Sequence, residues 1–130
     1  MDYQHEIHFT LPEARAALPE VIIQLHQLKE LKSKLDAKNY DIRMHKHFGG
    51  MMTNGVKEYP DEMTELMQIF KQLNRRGVLI RDIDRGLIDF PCVRVSGDEA
   101  YLCYVLEETD ILFWHPIHEG FSGRQPIASL

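Results

Sequence analysis

Residues 78–95 read VLIRDIDRGLIDFPCVRV, and this stretch decides the fold because the period of the apolar residues changes here to two. A period of two is typical of β-strands, whereas apolar positions three or four residues apart, as found earlier in the chain, indicate amphipathic helices. The run DIDRG at 82–86 predicts a turn between two strands. The sequence therefore predicts an α+β protein whose helices precede its sheet.

Further apolar runs at 100–106 and 111–115 follow turn signals at 96–99 and 107–110. Strands joined by short links are neighbours and run antiparallel. We therefore expect an antiparallel meander of about four strands.

The predicted turns also set a register. A two-residue turn before the strand that contains Cys103 would place Cys92 opposite Cys103, and a four-residue loop after it would place Cys103 opposite Trp114. On this register Asp89 and His115 share one face but lie about 13 Å apart, at roughly 3.3 Å per residue, and Cys103 lies on the other face.

The first predicted helix begins at Thr10, which forms a capping-box pattern with Glu13. We expect a bend near Pro19, because a proline removes one backbone hydrogen bond. Glycines often follow the last turn of a helix, so Gly49-Gly50 is expected to end this one. The helix would then have about 35 residues and a length of roughly 50 Å.

A second helix is predicted from Pro60 to Arg76, after a loop over 49–60 and before Gly77. Two amphipathic helices joined by a loop favour a long antiparallel helical hairpin. The chain of 130 residues is then a single domain. Its parts are a helical half at 10–76, a sheet half at 78–115 and an ordered C-terminal tail at 116–130.

The length of the first helix leads to a prediction about assembly. Its far end would extend beyond any partner in the same chain. A second copy of the protein would cover that end, so we expect a homodimer.

The composition excludes several classes of protein. Hydrophobic residues make up 44% of the chain, and 15 Lys and Arg against 20 Asp and Glu give a net charge of −5. These values are ordinary for a globular protein and argue against a nucleic-acid binder. The longest apolar run is about five residues, so no membrane association is expected. Only two cysteines and no signal-peptide pattern predict a cytoplasmic protein with reduced thiols.

Five segments carry a family resemblance: FTLPEA at 9–14, GLIDFP at 86–91, YLCY at 101–104, FWH at 113–115 and GFSGRQPI at 120–127. With them, the chain resembles the uncharacterised prokaryotic family known as domain of unknown function 2203. The resemblance spans nearly the whole sequence. It implies a small fold of a helical hairpin and a sheet, and it supplies no activity.

The resemblance also points to four positions where the family pattern is polar: Asp89, His115, Glu119 and Arg124. The chain departs from the pattern at Tyr104, where a tryptophan is usual. It also has Glu107-Glu108 where the family favours Gly-Glu.

The first candidate site is a metal centre formed by His115, His118 and Glu119, with Asp89 as a further carboxylate ligand. Zn²⁺ is bound by His and carboxylate ligands in tetrahedral geometry, and imidazoles three residues apart on a turn can converge. A divalent metal such as zinc is the cofactor that this candidate site would take. The alternative is structural, with His115 capping a strand and Glu119 in solvent.

The second candidate is an anion pocket with Arg124 and Asp89 as ligand-binding residues. Two glycines at 120–123 would let backbone N–H groups point inward, and an arginine grips a carboxylate or phosphate with two hydrogen bonds. The alternative is an ordered tail in which Arg124 pairs with an internal carboxylate, Asp89 or Glu119.

Cys92 and Cys103 lack a C-x-x-C spacing, and we interpret both as buried packing thiols. Two groups of histidines are also noted, His5 with His8 and His45 with His47. The second group would lie in the last turn of the first helix.

Two functional hypotheses follow. The first is a non-enzymatic, homo-oligomeric interaction module that binds a protein partner. The second is a small metal- or anion-binding protein, with hydrolase as its enzymatic form, whose site lies around the sheet and the C-terminal tail.

Overall fold

The computed structural model describes residues 2–44 and 59–130. Two helices come first and a five-stranded antiparallel sheet follows, with the strands in chain order across the sheet. The elements are α1 (Leu11–Ala37), α2 (Asp61–Arg75), β1 (Leu79–Asp82), β2 (Leu87–Val93), β3 (Glu99–Val105), β4 (Phe113–Pro116) and β5 (Gln125–Pro126). The predicted α+β class and the helical hairpin are confirmed, and the tail adds a fifth strand to the four expected.

The start of α1 is as predicted. The Glu13 backbone N–H donates to Thr10 Oγ1, at 3.2 Å, and the Thr10 N–H donates to Glu13 Oε1, at 2.8 Å. This capping box satisfies two backbone donors that a helix leaves unpaired at its first turn. The helix continues without interruption through Pro19, and the bend near this residue stays a prediction.

The predicted end of α1 at Gly49-Gly50 is wrong. Asn39 lies in the left-handed region with φ 58°, and the Tyr40 N–H donates to the Leu35 carbonyl. This is the Schellman termination, in which asparagine replaces the usual glycine. The helix therefore has 27 residues and a length of about 40 Å. Both glycines, and the predicted loop except its last two residues, lie outside the described residues.

Seven apolar residues form the buried stripe of α1, and none is more than 7% exposed: Ala14, Leu18, Val21, Leu25, Leu28, Leu31 and Leu35. They belong to one core cluster with residues of α2 and of one face of the sheet. The same chain therefore covers the stripe, and within residues 2–44 and 59–130 the overhang from which a homodimer was expected is not found. The homodimer stays a prediction, which light scattering on the purified protein would test.

The register of the sheet differs from the prediction. The β2–β3 hairpin closes around residues 95–97, where the Arg94 N–H donates to the Asp98 carbonyl, so Cys92 pairs with Ala100. A three-residue loop therefore replaces the predicted two-residue turn. The predicted pairings of Cys103 with Cys92 and with Trp114 are both wrong.

The observed register separates two sets of side chains. One face of the sheet packs toward the helices and contributes Ile88, Phe90, Cys92, Ala100, Leu102, Tyr104 and Trp114 to the core. On the opposite face Asp89 pairs with Cys103, and Tyr101 pairs with His115. The ionisable side chains of these four residues therefore lie together on one face.

Among the described residues, no helix has the length and apolar character that a membrane span requires.

Gly86, in the turn between β1 and β2, provides a test of the packing. Its φ is +63°, and a Cβ atom there would lie 2.4 Å from Leu106 Cγ. We expect Gly86→Ala to lower the free energy of unfolding by about 3 kcal/mol, since strain in the left-handed region adds to a clash in the core. Urea denaturation measures this change.

Gly97 is the matched control for this substitution. It also has a positive φ, +94°, but nothing lies within 4 Å of a Cβ built there. Gly97→Ala should therefore cost only the backbone strain, about 1 kcal/mol. Equal losses in the two variants would contradict the proposed clash with Leu106.

Candidate functional site

Three buried side chains meet on the face of the sheet that lies away from the helices. Asp89 on β2, Cys103 on β3 and His115 on β4 are 2%, 1% and 3% exposed. A carboxylate oxygen, the thiol sulfur and a ring nitrogen from these residues all lie within 4.8 Å of one another. These three atoms are of the types that bind Zn²⁺ in proteins.

Neighbouring groups fix the orientation of two of these side chains. His115 Nδ1 lies 2.9 Å from the Pro116 carbonyl oxygen, to which it must donate, because a carbonyl only accepts. The Arg81 Nε–H donates to Asp89 Oδ2 at 2.9 Å. The other two atoms, His115 Nε2 and Asp89 Oδ1, face each other at 3.0 Å. Asp89 and His115 thus each direct one polar atom toward the other. Their second polar atoms form hydrogen bonds with Arg81 and with the Pro116 carbonyl.

The surroundings of His115 favour its protonated form. Burial alone would lower the pKa of His115, but hydrogen bonds to Asp89, Cys103 and the Pro116 carbonyl, together with the charge of Asp89, raise it to about 10. Nδ1 donates to a carbonyl and Nε2 faces a carboxylate, so both ring nitrogens have an acceptor. Without a bound metal ion, His115 is therefore an imidazolium at neutral pH.

A cavity of about 220 Å³ opens beside the cluster. Its floor includes all three cluster residues, and Arg81 and Tyr101 add polar groups to its wall. The other lining residues come from β2 and from the segment that follows β4: Leu87, Ile117, Glu119, Gly120 and Phe121. The site is thus a small concave pocket whose walls combine apolar side chains with convergent polar groups, as those of ligand sites commonly do.

The N-terminal segment packs beside this pocket. His5 Nε2 and the Tyr101 hydroxyl are hydrogen-bonded at 2.6 Å. The Glu99 carboxylate accepts the backbone N–H groups of Gln4 and His5 and lies 2.6 Å from His8 Nε2. His5 and His8 therefore each contact a different residue of β3 and do not converge on one point.

The structure brings together some of the residues predicted from the sequence and separates others. Asp89 and His115 are in direct contact, so the predicted separation of about 13 Å is wrong. His118 and Glu119 are both exposed and lie outside the three-residue cluster, although Glu119 lines the cavity. The close group in the described residues is Asp89, Cys103 and His115, and the metal site of His115, His118 and Glu119 stays a prediction.

Arg124 pairs with a carboxylate other than Asp89. Its Nη2 donates to Glu108 Oε1 at 2.6 Å, and its guanidinium carbon is 4.1 Å from the centre of the Phe113 ring. The predicted pairing with an internal carboxylate is found, but the partner is Glu108 and neither Asp89 nor Glu119. Arg124 therefore holds the tail against β4 and does not join Asp89 in one pocket.

The two cysteines have different surroundings, although both are buried as predicted. Cys92 lies in the core on the helix side of the sheet, and burial raises the pKa of its thiol to about 11. Cys103 lies in the polar cluster and was missed as a candidate ligand. Its alternation with Tyr101 along β3 was visible in the sequence, but only the correct register places it beside Asp89.

The comparisons with known proteins concern almost the entire chain. Residues 8–127 match the family model described as uncharacterized conserved protein DUF2203. No curated protein and no solved structure matches. The matched segment contains the three cluster residues and all residues that line the cavity. The chain therefore belongs to the DUF2203 family of uncharacterised conserved proteins.

Proposed function

We propose that the protein binds a divalent metal ion, zinc by preference, through Asp89, Cys103 and His115, and uses it in hydrolysis. The observation that carries this proposal is the convergence of three buried donor atoms within 4.8 Å. Ligands of a tetrahedral zinc site lie about 3.5 Å apart, given bonds of roughly 2.0 to 2.3 Å. Small side-chain adjustments would bring the three atoms to that spacing.

The groups around the cluster also fit a metal site. Metal-bound histidines usually donate their second ring N–H to a carbonyl or carboxylate, as His115 does to Pro116. The Arg81 bond to Asp89 Oδ2 holds the carboxylate in place, and Oδ1, which faces His115 Nε2, would bind the ion once that ring nitrogen has lost its proton. Both ligands are therefore already oriented by their neighbours.

The cavity supports catalysis in preference to a purely structural role. Catalytic zinc sites have three protein ligands and leave a fourth position for water or substrate, and zinc lowers the pKa of such a water to about 7. Here the three candidate ligands form the floor of an open pocket. The apolar side chains of Leu87, Ile117 and Phe121 would limit access of bulk water.

A metal-free cysteine nucleophile has less support. If His115 acted as the general base, one of its ring nitrogens would have to be free to take the proton of the Cys103 thiol. Both nitrogens of His115 already have partners, the Pro116 carbonyl and Asp89. The interaction module predicted from the sequence also has less support, because this chain covers the apolar stripe of α1.

Metal binding is tested with two matched cysteine variants. The tag-free protein is titrated with Co²⁺ and Zn²⁺, desalted and examined by elemental analysis and by the cobalt–thiolate absorption band. We expect one bound ion in the wild type and in Cys92→Ala. Cys103→Ala should lower the affinity at least about tenfold and lose the absorption band, because it removes a ligand.

His118→Ala is a second control, because His118 is exposed and lies outside the cluster. Circular dichroism shows whether each variant is folded. A wild type that retains no metal after titration would overturn the proposal. A Cys103→Ala variant that binds as tightly as Cys92→Ala would remove Cys103 from the site.

A further inference from the structure

We infer that the cavity beside the cluster takes a small organic anion, a carboxylate on a short apolar body, which Arg81 and Arg85 attract. The inference rests on the proposed function, since it names the class of molecule that would meet the metal. The charges of Arg81 and Arg85 and the apolar walls of the cavity support it.

Arg85 provides a cation without a countercharge. Its guanidinium carbon lies 4.4 Å from the centre of the Phe121 ring, and Phe121 lines the cavity and is 40% exposed. Among residues 2–44 and 59–130, no carboxylate lies within 4.0 Å of the Arg85 side chain. Arg124, whose guanidinium carbon lies 4.7 Å from the centre of the same ring, is paired with Glu108. Arg85 is therefore the charge that remains available for a ligand.

Arg81 offers hydrogen bonds inside the cavity. It uses Nε on Asp89, and its guanidinium carbon lies 5.0 Å from the centre of the Tyr101 ring. The side chain is 41% exposed, and its planar terminal N–H groups match the two oxygens of a carboxylate. It can therefore hold Asp89 and orient an anion at the same time.

The charges around the cavity favour an anion when the metal is bound. The two positive charges of the ion would balance Asp89 and the Cys103 thiolate. Of the residues that line the cavity, Arg81 and Glu119 then balance each other, and Arg85, which stacks on the lining residue Phe121, adds one positive charge. The excess of one positive charge suits a monoanion.

The size and the walls of the cavity define the rest of the ligand. A volume of about 220 Å³ is below the roughly 300–1,000 Å³ of pockets that hold drug-sized ligands. Leu87, Ile117 and Phe121 provide apolar surface. Such walls suit a short hydrocarbon chain better than the fully hydrated surface of inorganic phosphate.

The test is a calorimetric titration of the zinc-treated full-length protein with butyrate, with butyramide as the neutral match and inorganic phosphate as the second anion. Butyrate is expected to bind, and butyramide and phosphate more weakly. Arg85→Gln should weaken butyrate binding about threefold to fivefold, and Glu119→Gln should strengthen it by a similar factor, because each changes one charge at the rim. Arg75→Gln, an exposed change on α2, is the control and should leave the affinity unchanged.

The same titration is run on protein treated with a chelator, and zinc content is measured in parallel. Zinc binding without butyrate binding would overturn the inference and leave the proposed function intact. Butyrate binding that Arg85→Gln weakens, in protein that never binds zinc, would support the inference and reject the metal. Equal binding of butyrate and butyramide, or tighter binding of phosphate than of butyrate, would overturn the inference.

Discussion

Asp89→Ala is expected to lower the free energy of unfolding by about 3–5 kcal/mol, the usual cost of breaking a buried ion pair by removing one partner. Asp89 is 2% exposed, and its two oxygens contact His115 and Arg81. Removing the carboxylate leaves the buried imidazolium without its countercharge and the Arg81 Nε without its acceptor. Urea denaturation followed by circular dichroism, with a chelator present, measures the loss.

The control for this substitution is Asp84→Ala. Asp84 pairs with Lys32 at 3.1 Å, but its side chain is 67% exposed. Exposed ion pairs contribute less than about 1 kcal/mol, so this variant should resemble the wild type. If Asp89→Ala lost no more stability than Asp84→Ala, the buried ion pair of Asp89 and His115 would not stabilise the fold as expected.

The helices were largely predictable from the sequence because their signals are local. The capping box at Thr10 and Glu13 and the glycine after α2, Gly77 with φ 92°, are each recognisable within a few residues. The end of α1 was missed for a physical reason. Asparagine adopts the left-handed conformation less often than glycine, so Asn39 is a weaker signal than Gly49-Gly50.

The site was predictable only in part because it depends on strand register. Asp89 and His115 were identified one by one as candidate residues, yet their contact was not. The three-residue loop of the β2–β3 hairpin, in place of two, shifts the pairing by an odd number of residues. An odd shift exchanges the two faces of a strand. This exchange brought Cys103 to the face of Asp89, which no local pattern at Cys103 could indicate.

Arg124 shows the same dependence on tertiary structure. The sequence predicted a pairing with an internal carboxylate, and two candidates were near in the predicted layout. The partner is Glu108, in the turn after β3, because the tail returns along β4 as β5. The position of the Arg124 side chain thus depends on β5. This strand has only two residues, Gln125 and Pro126, and is too short to be recognised in the sequence.

The second large effect concerns pH. With a chelator present, the free energy of unfolding is expected to fall by about 2 kcal/mol between pH 7 and pH 8.5. The pKa of His115 is raised from 6.5 to about 10 in the folded protein. A group with a raised folded pKa stabilises fully below its unfolded pKa and loses that contribution as the pH rises through the folded value. Urea denaturation at each pH measures the slope.

His115→Gln isolates the contribution of this residue, because glutamine does not titrate. The variant should show a flat profile over the same range. Cys92, whose folded pKa is about 11, and Tyr104, whose pKa burial raises, also favour the folded state in their neutral forms. These two residues begin to lose their stabilising contributions near their ordinary pKa values, at about 9 and 10, which lie above the range from pH 7 to pH 8.5. A wild-type stability that is constant or rises from pH 7 to pH 8.5 would contradict the imidazolium assignment.

Zinc is expected to reverse the sign of this slope. A metal needs His115 neutral and Cys103 ionised, so binding releases protons and strengthens as the pH rises. A ligand that binds only the folded state stabilises it according to its affinity. In excess zinc the stability of the wild type should therefore rise between pH 7 and pH 8.5, while Cys103→Ala retains the falling profile. The same falling profile in both proteins would show that zinc does not bind the cluster.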